Sequence, residues 1–203
     1  MGSTYSFSDY PFPESELTRL RDREWILNLV PSNTVGAELG VFRGHFSELI
    51  LDRVRPKKLY LNDFWRLQGT HYDDYGDYTN FGRLPTALAM EEVKFRADKY
   101  ADSCEIVIVE KPCISFLSEL DEKLDFVYLD TYHTFQETFD QLHAIDRVLA
   151  KKGLILGDDW WPDRNSPHHG VFLAVHEFLR NAEFEMITCG RGGQWCLRRS
   201  ESK

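Results

Sequence analysis

The four cysteines, Cys104, Cys113, Cys189 and Cys196, form no Cys-x-x-Cys pair. That excludes a zinc ribbon and leaves reduced, buried thiols in a cytoplasmic protein as the default. Cys189 and Cys196 can face each other across a hairpin, but free thiols remain the expectation. No apolar run approaches the ~20 residues of a bilayer-spanning helix, so no membrane partner is expected. Met1 to Pro13 is polar and aromatic, unlike a signal sequence. Basic residues are scarce, with 24 Lys and Arg against 33 Asp and Glu, for a net charge of −9. Nucleic-acid binding calls for a basic footprint, so a small molecule is the expected partner rather than DNA or RNA. The 203 residues, 42% of them hydrophobic, are enough for one domain with a full core.

One glycine is also missing where a dinucleotide site would need it. Val35-Gly36-Ala37-Glu38-Leu39-Gly40-Val41-Phe42-Arg43-Gly44 reads as a strand, a glycine turn and the start of a helix. Lys58-Leu59-Tyr60-Leu61-Asn62-Asp63 reads as a second strand ending in an acid. This order of parts holds adenosine-containing cofactors in open parallel sheets. Gly40 allows a sharp exit from the strand, Gly44 lets the helix pack closely, and Asp63 is placed to accept ribose hydroxyls. The spacing is Glu-x-Gly-x-x-x-Gly, however, with Phe42 in the middle of the turn. A pyrophosphate needs bare backbone there. Glu38 would repel phosphate and suits a cationic or zwitterionic ligand.

Along the chain, Pro13 to Val30 is expected as an N-terminal helix, part of a helical cap over residues 1–32. Strands follow at Val35–Leu39, Leu59–Asp63, Glu105–Val109, Asp125–Asp130 and Leu154–Asp159. Helices are expected at Phe46–Val54, Ala87–Tyr100, Ile114–Leu120, Val171–Asn181 and Phe135–Ala150, the last stopping at Lys151, Lys152 and Gly153. Phe184–Thr188 and Gln194–Arg198 form a closing hairpin around Gly190, Gly192 and Gly193. Residues 65–85, rich in Tyr, Asp and Gly, suggest a lid. The fold class is therefore α/β: a single Rossmann-like, doubly wound and mostly parallel sheet with a C-terminal antiparallel hairpin.

Three strands end in acids: Asp63, Asp130 and the pair Asp158-Asp159. Ligands of open α/β sheets bind beyond the carboxyl ends of strands, so these acids converge on one rim. Helix capping or turn formation explains one such acid; three strands and an adjacent pair strain that explanation. Oxygen-rich clusters suit Mg²⁺, Mn²⁺ or Ca²⁺ rather than zinc.

The glycine turn and acidic strand ends resemble the motifs of Rossmann-like S-adenosylmethionine-dependent methyltransferases, which also end in a hairpin. A narrower resemblance rests on Tyr128-Leu129-Asp130-Thr131-Tyr132-His133-Thr134-Phe135 and Gly153-Leu154-Ile155-Leu156-Gly157-Asp158-Asp159. These are similar to motifs of the small bacterial macrolide and aminocoumarin sugar O-methyltransferases. The resemblance implies a cofactor site at Glu38, Gly40, Phe42, Gly44, Asp63 and Asp130. It implies a divalent-metal site at Asp130, Asp158 and Asp159, with His133 and Asp130 as catalytic residues. Thr131 replaces the usual glycine, and Tyr132 stands where some members place an acid acting as base.

The expected reaction is O-methylation of a small-molecule hydroxyl on a sugar diol or catechol. S-adenosylmethionine is the donor, Mg²⁺ lowers the hydroxyl pKa, and His133 or a metal-bound water takes the proton. Trp160 and Trp161 could wall a planar substrate or pack in the core, and His168 and His169 lie on a loop after the fifth strand. The alternatives are a non-catalytic member, which Thr131 and Tyr132 keep open, and a nicotinamide dehydrogenase, which the missing glycine disfavours. Relatives that are dimers or larger leave a homo-oligomer open.

Overall fold

The computed structural model describes residues 6–65 and 86–200. Apart from Trp65, the expected lid lies outside the described residues. Strands β1 (Val35–Leu39), β2 (Lys58–Asp63), β3 (Glu105–Glu110), β4 (Leu124–Leu129) and β5 (Leu149–Gly157) pair in parallel. Strands β6 (Phe184–Cys189) and β7 (Trp195–Arg199) complete the sheet as an antiparallel hairpin. The order is β3-β2-β1-β4-β5-β7-β6, the doubly wound arrangement expected from the sequence. Strand progression reverses between β1 and β4, so the ligand crevice opens beyond their carboxyl ends.

Helices α1 (Glu14–Arg23), α2 (His45–Arg53), α3 (Thr86–Asp98), α4 (Cys113–Glu119), α5 (Phe135–Val148) and α6 (His169–Asn181) connect or flank the strands. One core layer joins Phe46, Ile50, Val93, Phe126 and Tyr128 under α2 and α3. The other joins Leu39, Val127, Leu142, Ile145, Val175 and Phe178 under α4, α5 and α6. β1 is buried along its whole length, as a central parallel strand covered on both faces must be. That burial places the carboxylate of Glu38 inside the protein.

Two boundaries differ from the sequence expectation. The N-terminal helix ends at Arg23 and tightens into a 3-10 helix over Glu24–Leu29, which turns Ile26 and Leu27 into the core and lets Trp25 Nε1 donate to the carbonyl of Arg191. Helix α5 stops at Val148, and the lysines expected as its terminal turn lie inside β5. Leu149 is already extended and pairs with Leu124, after which the register shifts by a bulge. A side chain at Gly153 would come within 2.7 Å of Leu149 Cγ, so this glycine serves the strand rather than a helix stop. The four thiols are free. Cys196 stands opposite Thr188, and Cys189 opposite Trp195.

Candidate active site

The glycine turn is built by close approach. Gly40 adopts φ +88°, and a Cβ there would lie 1.7 Å from the carbonyl oxygen of Asp130. Glycine is required for the exits of β1 and β4 to pass each other. Phe42 also sits in left-handed space, at φ +55°, a conformation that non-glycine residues adopt only when their surroundings enforce it. Asp63 does the enforcing. Its Oδ2 accepts the Val41 and Phe42 amides at 2.8 and 2.7 Å, and its Oδ1 accepts Phe64 at 2.5 Å. Asp63 thus shapes the turn through three backbone amides.

Glu38 is 1% exposed, and Ser47 Oγ donates to its Oε2. Burial drives its pKa well above the ordinary carboxylate range; Asp130 and Asp63 add to the rise, and only Ser47 opposes it. Among the described residues no Lys, Arg or His pairs with it. Such a group is stabilised by an incoming cation.

Asp130 and Asp158 stand one residue beyond their ladders. The Asp130 amide donates to Leu39 O and that of Asp158 to Leu129 O, at 2.8 and 3.1 Å. A cation already lies between the two side chains. Arg23, at the end of α1 and only 4% exposed, places Nη1 3.0 Å from Asp130 Oδ2 and also pairs with Asp158 Oδ2. Gln194 Nε2 donates to Asp158 Oδ1 at 2.6 Å and is itself held by the Tyr128 hydroxyl. The contact of Arg23 Nη1 with Asp158 is electrostatic, since Asp158 Oδ2 has no hydrogen-bond partner. Burial, with the charges of Asp130 and Asp159, raises the Asp158 pKa against the pull of Arg23.

Asp159 turns the other way, with φ +63°. Its Oδ2 lies 2.9 Å from His133 Nδ1 and 3.7 Å from His168 Nδ1, and the two rings meet edge to face at 4.3 Å. Burial opposes its ionisation, but the bond and charge of His133 win and bring its pKa to about 2. For His133, burial pulls the pKa down while the Asp159 bond and the acids Asp159, Asp130 and Asp158 raise it; the net shift is upward. His168 is lowered, because burial outweighs Asp159. Trp161 Nε1 reaches Asp159 Oδ1 at 3.4 Å, whereas Trp160 packs against Phe172 and His176.

Two cavities of about 250 Å³ each flank the switch point and share Gly40 and Asp130. One is lined by Asn62, Asp63, Lys111, Thr131 and Tyr132. The other is lined by Phe12, Arg19, Glu38, Phe42, His133 and His168. Thr131 donates to Gln141 Oε1 at 2.6 Å, which ties the residue found in place of glycine into the wall of the first cavity. A wider groove of about 920 Å³, lined by Thr34, Asp125, Lys151 and Lys152, lies at the amino ends of the strands, away from the turn.

Glu38, Gly40, Phe42, Asp63, Asp130, His133 and Asp159 line the two cavities. Asp158 adjoins them through Arg23, and Gly44 packs against α3 instead. The oxygens of Asp130, Asp158 and Asp159 lie within 4.8 Å of one another. Their chemistry suits a hard divalent ion. Their surroundings do not, because Arg23 already pairs with both Asp130 and Asp158 and Gln194 takes the remaining oxygen of Asp158. The residues at the Asp130–Asp158–Asp159 trio do not fit a resident metal; His133, Asp159 and His168 form a second cluster of possible donors beside it. At Glu38 a buried acid without a paired cation among the described residues lies beside the glycine turn. Arg23 and Gln194 gave no signal in the sequence, where they are ordinary polar residues far from the acids they serve.

Residues 37–160 match the model of a family described as a methyltransferase domain. No curated protein matches the chain. Solved structures similar in fold include the O-methyltransferase TomG of Streptomyces achromogenes, involved in tomaymycin synthesis and bound to S-adenosylmethionine. It is 14% identical, with 95% of this chain and 83% of TomG covered, at a TM-score of 0.61. The O-methyltransferase NovP is 20% identical, with 93% and 79% covered, at 0.57. An rRNA methylase from Streptococcus thermophilus is 11% identical, with 88% and 94% covered, at 0.56.

Proposed function

The chain belongs to the methyltransferase-domain family, and from that premise we propose that it methylates a hydroxyl of a small molecule held beside His133. S-adenosylmethionine, when bound, supplies an electrophilic methyl on a sulfonium. The protein's task is to place a nucleophile in line with that methyl and to remove its proton. Glu38 suits the ammonium of the donor, and the cavity carrying Asn62 and Asp63 suits its adenosine.

The observation that carries the reading is the His133–Asp159 pair on the wall of the second cavity. Nδ1 of His133 is committed to Asp159, which fixes the tautomer and leaves Nε2 to accept a proton. A base placed in this way is worth roughly 10²–10⁴ in rate. Base duty falls to His133, with Asp130 holding Arg23 at the junction of the two cavities. The size of the second cavity and its rings, Phe12 and Phe42, favour a compact sugar or catechol-like acceptor. The net charge of −9 weighs against an RNA substrate.

The test pairs calorimetric titration of S-adenosylmethionine with release of S-adenosylhomocysteine across sugar diols, catechols, simple alcohols and an RNA stem-loop. Release is expected only with small hydroxyl acceptors and is expected to fall by about 10² or more in His133→Ala. Turnover of RNA alone, or full activity in His133→Ala, would overturn the reading.

A further inference from the structure

We infer that Arg23 is the resident cation of the acid rim and replaces a divalent metal there. The inference rests on the assignment of the rim to the methyl-transfer site, but its test reads metal binding, so the two can fail separately.

Three carboxylates whose oxygens lie within 4.8 Å repel one another unless positive charge stands between them. The chain supplies that charge from α1, 107 residues before Asp130. The arrangement is built to hold it. The guanidinium is nearly inaccessible and contacts Asp130 and Asp158 from one nitrogen. Its helix is pinned to the hairpin turn by the Asp22–Arg191 ion pair and by the bond from Trp25 Nε1 to Arg191 O. The same turn leads into Gln194, which orients Asp158 from the opposite side. One segment of the hairpin thus sets both the acid and the helix carrying its counter-ion. Arg23 is a positioning residue: it holds Asp130 and Asp158 in place so that His133 and Asp159 face the cavity. An ion could bind only by expelling Arg23, whose unit charge at about 4 Å opposes a divalent cation by more than a tenfold change in affinity at protein-surface dielectric.

The probe is Mn²⁺ alone, added to the full-length protein after treatment with EDTA and followed by calorimetry and by the loss of its free-ion electron paramagnetic resonance signal. The unaltered protein is expected to bind no Mn²⁺ at the rim, and its melting temperature should not respond to EDTA. Arg23→Ala should gain a site for one Mn²⁺ per chain, at least about tenfold tighter than any binding by the unaltered protein, and Asp158→Asn in that background should abolish it. Arg23→Lys, which restores a cation, should show no such gain. Stoichiometric Mn²⁺ binding by the unaltered protein that survives His168→Ala, which removes a donor of the adjoining His133–Asp159–His168 trio, would overturn the inference. A folded Arg23→Ala that gains no site would overturn it equally.

Discussion

At His133 two effects oppose each other. Desolvation favours the neutral ring, and the negative charges around it favour the imidazolium; the charges win, and the pKa lies above 6.5. A base must be neutral to accept a proton, so turnover is expected to rise with pH, with its midpoint above 6.5. Asp159→Asn removes the charge that raises the pKa. Asparagine tolerates left-handed backbone nearly as well as aspartate, so the φ of +63° is kept and the change is electrostatic. The midpoint should therefore move to lower pH while kcat falls by roughly 10²–10³, through loss of the tautomer lock and of base strength. A pH–rate profile of both proteins under saturating donor checks this. A drop in rate without movement of the midpoint would mean that Asp159 acts only by packing. Asp159 could be named from the sequence because it ends an apolar strand, and His133 because its motif resembles that of the O-methyltransferases, whereas Arg23 could not. An arginine closing an amphipathic helix is what solvent exposure and the helix dipole would also produce.

Elements place these residues, and here the strands were more legible than the helix ends. Short, mostly apolar runs such as Val35–Leu39 and residues 126–129, bounded by turn residues, identify themselves. The passage from α5 to β5 does not, since Val148-Leu149-Ala150 is apolar on both sides of the boundary and Leu149 suits either state. The turn between β1 and α2 gives the sharpest test at this scale. In Gly40→Ala the left-handed backbone alone costs about 1–2 kcal/mol, and the new methyl also overlaps the Asp130 carbonyl at 1.7 Å. The exits of β1 and β4 must then separate, which moves Asp130 from Arg23. Gly44→Ala has a similar φ, +74°, but its nearest neighbour is the side chain of Val93 at 3.2 Å, which can yield. A melting temperature lowered by roughly 2–8 °C is therefore expected for Gly44→Ala, with donor binding retained. Gly40→Ala should fall further and lose donor binding. Equal behaviour of the two variants in thermal melts and calorimetry would show that the crossing of the two strands does not shape the site.

For the whole molecule, the sheet leaves its switch point open while burying an acid beneath it, and this has a thermodynamic consequence. Glu38 has a folded-state pKa raised above its unfolded value of 4.5. The native chain therefore holds a proton that the unfolded chain has lost, and the free protein loses stability as pH rises from 4.5 toward the folded pKa. A ligand ammonium seated against Glu38 favours the ionised form and removes that penalty. Stabilisation by S-adenosylhomocysteine should accordingly grow with pH over this window. With ligand at about a hundred times its Kd, the linkage relation gives about 2.7 kcal/mol, which for a chain of this size corresponds to a rise of roughly 5–11 °C in melting temperature. Glu38→Gln keeps the shape and the Ser47 contact but removes the charge, at about 1.5–3 kcal/mol of lost charge-assisted bonding. At the same ligand concentration its shift should be less than half as large and should not vary with pH. The variant without ligand should melt above the unaltered protein at pH 7 and above, because the buried ionisation is gone. Thermal melts across pH 5–9, with and without S-adenosylhomocysteine, measure all three quantities. A pH-dependent ligand shift that survives in Glu38→Gln would move the cation-binding role to another carboxylate of the rim, with Asp130, which opens on both cavities, as the first to examine.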